Sequence, residues 1–357
     1  MEGHSTCVRC NLLKKEEEIM EKIMYRSIVS RCLKSLFLIF LVSFVVSFVT
    51  TGTFQNAFGA EEFPTREIRL ILPLNPGGSI DIGSRLFAAK IEKILGVPAV
   101  VVNNTAGAGA AAILSVKEAK PDGYMLLGVP TTSFFILKPM MIPEVTYRYT
   151  DFTPICRIFG TPAALLCRAD APWKNMKELI EYIKAHPGTV RATGGPAGGF
   201  LNTLLHQFKA EAGVDIAIVP TGGGAAQSTA LMGGHVELCM DPLTADISFL
   251  RAGRVRILAS EIKMKEFPAV RTFAEEGLPG VGLKELQGIY GPKGLPMAIV
   301  TKLAKAFQEA SNDPSLRKQL EESLIPPEYE GSDEMTKVTE SQIVSVRNSL
   351  TKAGLIK

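Results

Sequence analysis

Apolar positions along this chain switch between two spacings. Ile68-Arg-Leu-Ile-Leu-Pro73 is a short apolar run that breaks at Pro73 and Pro76. After Ser79 the apolar residues Ile82, Leu86, Phe87, Ile91, Ile94 and Leu95 recur at helical spacing on one face, and Gly96 closes the segment. A strand, a glycine turn and a helix are predicted in that order. The same alternation follows: Pro98-Ala-Val-Val-Val-Asn103 as strand, the turn Asn104–Gly109, a helix through Lys120, the turn Pro121-Asp122-Gly123, and Tyr124–Val129 as strand. A second set starts near Ala163, with strands at Ala163–Arg168, Val190–Thr193, Asp215–Val219, Val236–Met240 and Ile257–Ala259, and a helix at Met176–His186. Gln287–Tyr290 returns to a strand, followed by helices at Met297–Asn312 and Ser332–Ala353. Repeated β-turn-α units predict α/β lobes, each with a mostly parallel sheet flanked by helices. Ligands of such sheets bind at the carboxyl ends of the strands.

Length and charge narrow the class. The chain has 357 residues, and single cores rarely grow beyond about 250, so two lobes are expected. Leu36–Val49 is almost wholly apolar over 14 residues, preceded by Arg26, Arg31 and Lys34 and followed by the small polar run Thr50–Thr53. That order is a secretory leader, with cleavage after Gly59. The alternative is an uncleaved anchor, but a spanning helix needs roughly 20 apolar residues. The first 59 residues hold 7 of the 39 Lys and Arg and 5 of the 36 Asp and Glu, leaving 32 and 31. A net charge of +1 gives no nucleic-acid signature. Cys156, Cys167 and Cys239 remain after the leader. An odd count at these spacings is no disulfide framework, although Cys156 and Cys167 lie on adjacent apolar segments and either pair or stay as buried thiols.

The glycine turns carry the candidate chemistry. Gly77 and Gly78 let backbone N–H groups approach a ligand, Ser79 begins the helix, and a helix start so exposed attracts a carboxylate or phosphate. Asp81 in the first helical turn either fixes the loop or pairs with an amine on the ligand. Similar turns recur at Gly194–Gly199, Pro220–Gly224 and Asp241-Pro242. Gly107-x-Gly109-x-x-Ala112 matches a loose dinucleotide fingerprint, yet the next strand ends in Pro130-Thr131-Thr132 without the acid that fingerprint requires. His186, His206 and His235 belong to no metal set or nucleophile elbow. No catalytic residue, metal or cofactor is expected, and Trp173 reads as a packing residue.

Taken in order, Pro73–Arg85, Asn104–Gly109, Pro121–Tyr124, Asp151–Pro154, Val219–Gly223, Gly233–Glu237 and Thr272–Gly277 resemble the Bug-type receptors of tripartite tricarboxylate transporters. The resemblance covers nearly all of the chain after the leader. It implies a periplasmic binding protein of type II-like architecture, with lobe one at 62–160 plus 282–357 and lobe two at 161–281. It also implies a ligand cleft between the lobes, a small organic acid as ligand, integral membrane transporter subunits as partners, a monomer, and a periplasmic or outer-face location. By position, Gly77, Gly78, Ser79, Asp81, Thr131 and Thr132 fall to the ligand site in lobe one. Gly195, Ala197, Gly198, Asn202, Thr221, Gly222 and Asp241 fall to it in lobe two. Leu74, Thr221 and Asn202 replace an aromatic, a tyrosine and a histidine usual in the family, which leaves the solute open. A ligand sensor for a two-component system is the alternative role. An exported enzyme on the same scaffold is a further one, against which the missing base and metal argue.

Overall fold

The computed structural model describes residues 20, 24, 63–244, 246–352 and 354–356. The expected leader at 1–59 thus lies outside the described residues apart from two positions. Within 63–357 the strands form two sheets. The first contains β1 (Ile68–Leu72), β2 (Ala99–Asn103), β3 (Met125–Pro130), β4 (Phe152–Gly160), β10 (Leu286–Pro292) and β11 (Pro327–Gly331), in the order β11-β4-β10-β3-β1-β2. The second contains β5 (Ala164–Arg168), β6 (Arg191–Thr193), β7 (Ala217–Ile218), β8 (Leu238–Asp241) and β9 (Val255–Ser260), in the order β7-β6-β8-β5-β9.

The parallel part of each sheet is the part that helical crossovers build. β1 pairs in parallel with β2 and β3, and β6 with β7 and β8. The remaining pairings are antiparallel, so both sheets are mixed. The reason is the route of the chain. β4 leads out of the first sheet into β5 of the second, and β10 returns after β9. β5 and β10, each entered from the other sheet with no helix between, pair antiparallel with their neighbours. Pro154 sits beside a register shift in the β4–β10 ladder, where the missing N–H is tolerated. The two passages between the sheets are hydrogen-bonded to each other: the Thr161 N–H donates to the Glu285 carbonyl at 3.1 Å and the Glu261 N–H to the Ala163 carbonyl at 2.9 Å.

Helices cover both faces. α1 (Ser79–Leu95), α7 (Met297–Asn312) and α8 (Pro314–Glu322) pack on one face of the first sheet, burying Ile80, Phe87 and Ile91 with Leu303, Phe307 and Leu320. α1 turns its apolar face inward as its spacing predicts, and it ends at Gly96, which takes the left-handed φ of 72° that glycine tolerates. The other face carries α2 (Ala110–Lys117) and a π-helical turn, Thr132–Leu137, which runs on as a short helix Lys138–Met141. Around the second sheet lie α3 (Met176–Ala185), α4 (Phe200–Ala212), α5 (Ala225–Met232) and α6 (Ile247–Arg251). Ile136 and Leu137, and Val346 and Leu350 of the last helix, α9 (Ser332–Lys352), join the core of the second sheet, so apolar packing links the sheets beyond the two passages.

Cys156, Cys167 and Cys239 are buried free thiols, and burial pushes each above its ordinary pKa. Trp173 packs against Tyr182 with the rings tilted at 53° and 4.9 Å between their centres. The glycines of the dinucleotide-like motif have a packing purpose. A Cβ on Gly109 would stand 2.6 Å from the Pro73 carbonyl and 2.7 Å from the Phe134 ring, and φ is 89°. Only glycine lets the loop after β2 lie against the loop after β1.

Candidate functional site

The turn after β1 is held from inside. Gly77 has φ 86°, and Gly78 precedes the helix in extended geometry, φ −82° and ψ 169°. The Asp81 carboxylate, 3% exposed, accepts from the Gly77 N–H at 3.0 Å, from Arg85 Nε at 3.0 Å and from Asn103 Nδ2 at 3.0 Å. Arg85 Nη2 adds an ion-pair contact at 2.9 Å. Asn103 Nδ2 also donates to the Leu74 carbonyl at 3.0 Å, so one carboxylate ties the turn to the end of β2. Burial pushes the Asp81 carboxyl up, but the hydrogen bonds from Arg85, Gly77 and Asn103 and the Arg85 charge outweigh it and hold the group below its ordinary value. Of the two roles left open for Asp81, the geometry is that of a loop brace. No side chain caps α1, and among the described residues nothing accepts from the Ser79 and Ile80 N–H groups. Helix-start N–H groups of this kind carry the positive end of the helix dipole.

The second sheet repeats the device. Gly198 has φ 70°, Gly199 precedes α4 in extended geometry at φ −75° and ψ 167°, and no side chain caps that helix either. The Gly198 N–H donates to Asn202 Oδ1 at 3.3 Å, as Gly77 does to Asp81, again four residues on. Gly195, with φ 77°, accepts the Thr221 N–H at 3.1 Å, and the Thr221 and Thr193 hydroxyls meet at 2.8 Å. A Cβ on Gly194 would stand 2.6 Å from the Leu201 carbonyl, so the turn is pressed onto α4. Gly198 also faces the first sheet's elements: a Cβ there would lie 3.7 Å from Met141 Cε.

Two further helix starts are closed by the protein's own side chains. The Thr132 and Ser133 N–H groups donate to Glu285 Oε1 at 3.0 and 3.3 Å, and the Ser133 hydroxyl to Glu285 Oε2. Thr132 Oγ1 donates to the Lys284 carbonyl at 2.6 Å, while Thr131 Oγ1 meets the Tyr290 hydroxyl at 3.1 Å. Burial pushes the Glu285 carboxyl up to about 7 against the pull of those donors. After β7, the Gly224 N–H donates to Gln227 Oε1 at 3.1 Å, and Gly222 lies beside Ala226. Asp241, fully buried, accepts from the Leu243 N–H at 3.2 Å. Burial and then the neighbouring charge of Asp246 push its carboxyl far up, and burial raises Asp246 as well.

The structure thus brings Gly77, Gly78, Ser79 and Asp81 into one turn, and Gly195, Ala197, Gly198 and Asn202 into another. Thr131, Thr132 and Asp241 are engaged within the protein. Glu285 was not legible as a helix cap, because it comes from a segment far along the chain. Lys138 was missed too: its Nζ donates to the Ala108 carbonyl at 2.6 Å and lies 3.8 Å from the centre of the Phe134 ring, and burial lowers its pKa to about 8. A lysine following the aromatic pair Phe134-Phe135 was the available signal. Among the described residues no group of three or more His, Cys, Asp or Glu side chains is placed to hold a metal ion. None of the described helices is long and apolar enough to cross a membrane.

Two helix-flanked sheets joined by paired passages, with open helix starts at strand ends, define a binding protein of the periplasmic solute-receptor class. The model of the tripartite tricarboxylate transporter family receptor matches residues 84–355, and the chain belongs to that family. It is 31% identical over 302 residues to the UPF0065 protein in the gbd 5' region of Cupriavidus necator, covering 84% of this chain and 90% of the relative. It is 28% identical to the protein BugT of Bordetella pertussis over 273 residues, 76% of this chain and 84% of BugT. Among solved structures it resembles a Rhodopseudomonas palustris protein with adipate, at TM-score 0.77 and 27% identity over 82% of this chain and 99% of that one. MatC of the same organism, with bound malate, gives TM-score 0.71 and 25% identity over 81% and 100%. The family and these neighbours are solute receptors rather than enzymes.

Asp81→Asn removes the charge while keeping the shape. It is expected to lower the unfolding free energy at pH 7 by ~2 kcal/mol, the worth of hydrogen bonds to a charged group, as read by urea denaturation. Since the folded pKa of Asp81 is depressed, its contribution is present above the unfolded pKa of about 3.9 and is lost as pH falls through the folded value. Variant and wild type should therefore converge in acid, and a gap independent of pH would contradict the brace. Glu285 acts in the opposite sense: with a folded pKa of about 7 against about 4.3 unfolded, its contribution to stability declines as pH rises between those values. In Glu285→Gln that decline is expected to vanish, so wild type loses several degrees of melting temperature relative to the variant between pH 5 and pH 8. A parallel pair of curves would overturn this.

Proposed function

We propose that this protein is an extracytoplasmic receptor that captures a small organic acid carrying more than one carboxylate and delivers it to integral membrane subunits of a tripartite tricarboxylate-type transporter. The observation that carries the reading is the matched pair of open helix starts. In each, a left-handed glycine and an extended glycine precede an uncapped helix, and the side chain four residues beyond the first glycine braces the turn. Uncapped N–H groups on a helix dipole stabilise an anion without a lysine or arginine. Two such ends suit an acid with a carboxylate at either end, and the structural neighbours with malate and adipate support that chemistry.

In this reading lobe one is 62–160 with 282–357, lobe two is 161–281, and the ligand lies in the cleft between them. The Ser79 and Ile80 N–H groups behind the Gly77-Gly78 turn hold one carboxylate, and the Phe200 and Leu201 N–H groups behind the Gly195-Ala197-Gly198 turn, with Gly222 beside it, hold the other, while the Gly77 and Gly198 N–H groups stay on Asp81 and Asn202. Asp81, Thr131, Thr132, Asn202, Thr221 and Asp241 shape the loops. An acid bridging the two turns favours the closed arrangement of the lobes, because only there does it contact both. The closed monomer then docks on the transporter at the outer face of the membrane, after the leader at 1–59 has directed export.

The test is a thermal-shift survey of the chain from Ala60 onward against di- and tricarboxylates at neutral pH. Binding at a hundred times Kd stabilises the fold by about 2.7 kcal/mol, so at least one acid is expected to raise the melting temperature by several degrees. A flat response across the whole set would sink the proposal.

A further inference from the structure

The turns at the strand ends are short of charge. Pro73–Ser79, Asn104–Gly109, Gly194–Gly199 and Pro220–Gly224 contain no titratable side chain. Asp81 is taken up by the Gly77 N–H and Arg85, and Glu285 by the N–H groups of Thr132 and Ser133. Lys138 stands apart. It is the one charged residue of the segment Thr132–Met141 and is half-buried. Its Nζ donates to the Ala108 carbonyl at 2.6 Å and lies 3.8 Å from the centre of the Phe134 ring. Neither partner carries a charge, and burial alone lowers its pKa to about 8. An ammonium drawn out of water without a carboxylate to meet it opposes folding.

Contacts on both sides fix where that ammonium sits. Ala108 precedes Gly109, which is pressed between the Pro73 carbonyl and the Phe134 ring, 2.6 and 2.7 Å from where a Cβ would stand. Pro73 follows β1 and opens the loop that runs to Gly77. Three residues on from Lys138, Met141 Cε lies 3.7 Å from the position of a Cβ on Gly198. The short helix Lys138–Met141 thus reaches from the loops after β1 and β2 to the turn after β6, and Lys138 stands at the lobe-one end of that span.

We infer that Lys138 is a specificity-determining contact whose ammonium swings from the Ala108 carbonyl onto the bound acid and selects doubly charged acids over singly charged ones. The inference rests on the carboxylate reading given above and follows from the charge balance of that site. A helix start carries roughly half a positive charge. Two helix starts therefore offset about one of the two charges of a diacid, and a cleft closed over it would bury about one unit of negative charge unpaired. Lys138 supplies one unit of the opposite sign. Moving from a neutral carbonyl to a carboxylate gives its N–H groups a stronger, charge-assisted acceptor. A half-ester is already matched by the two helix ends and leaves Lys138 without a counter-charge.

Calorimetric titration of malate and adipate, and of their monomethyl esters, into wild type, Lys138→Met and Lys138→Arg tests this, together with the melting temperature of each protein without ligand. Lys138→Met is expected to cut the ratio of diacid to half-ester affinity by about tenfold, the worth of a hydrogen bond between charged groups, and Lys138→Arg to restore most of it. Wild-type affinity for the diacid should fall several-fold from pH 7 to pH 9.5 as the ammonium deprotonates. Lys138→Met should lose that dependence, and so should Lys138→Arg, whose guanidinium stays charged. A ratio that Lys138→Met preserves, or a pH dependence that persists in it, would overturn the inference and leave the carboxylate reading standing. A lower ligand-free melting temperature with the ratio unchanged would likewise overturn it, by assigning Lys138 to the fold. Failure of both diacids to bind wild type would tell against the carboxylate reading and this inference with it.

Discussion

A helix that begins at the end of a strand leaves its first N–H groups without partners, and how those groups are satisfied organises this molecule. After β3 they are met by Glu285, and after β7 in part by Gln227. After β1 and β6 they are not met by any capping side chain. The difference is local. Asp81 and Asn202 are residue types that readily bond to backbone N–H groups, but each is turned onto the glycine before the cap. The turn is thereby fixed and the helix end stays unfilled. Glycine is needed on both sides of the device: Gly77 and Gly198 take positive φ, and Gly78 and Gly199 put no side chain over the open N–H groups.

The same logic explains why buried acids are frequent here and buried cations few. Glu285 at a helix start and Asp241 at the end of β8 are sheltered carboxyls that accept from backbone N–H donors, and burial pushes both upward. Glu285 also stands where the chain passes between the sheets, next to the Thr161 contact. It caps the helix after β3 through its side chain and links the passages through its carbonyl.

Much of the fold was legible because apolar runs and glycine turns mark it directly. β1, α1, β2 and β3 stand where period and punctuation place them. β4 was not legible, since Pro154 and Arg157 interrupt its apolar pattern, and its register shift beside Pro154 is a property of the pairing with β10. β11 reads Pro-Glu-Tyr-Glu-Gly, too polar for a core strand, because it is an edge strand whose Glu330 pairs with Arg157 at 2.5 Å. The mixed character of the sheets depends on which segments cross between them, which no local pattern records. At the site, the glycine turns announced themselves, whereas Glu285 and Lys138 act through partners far away in sequence. Asp81 was ambiguous for a related reason: its role depends on Asn103 and Arg85, and only the folded chain brings all three together.

The central claim is that a carboxylate is held by backbone N–H groups at the start of α1 and its counterpart α4. Backbone amide NMR of the isotope-labelled protein, titrated with a dicarboxylate, tests it most directly. The account predicts large, saturable shifts concentrated at Gly78, Ser79 and Ile80 and at Gly199, Phe200 and Leu201. Shifts confined to other surfaces, with both helix starts unmoved at saturation, would contradict it.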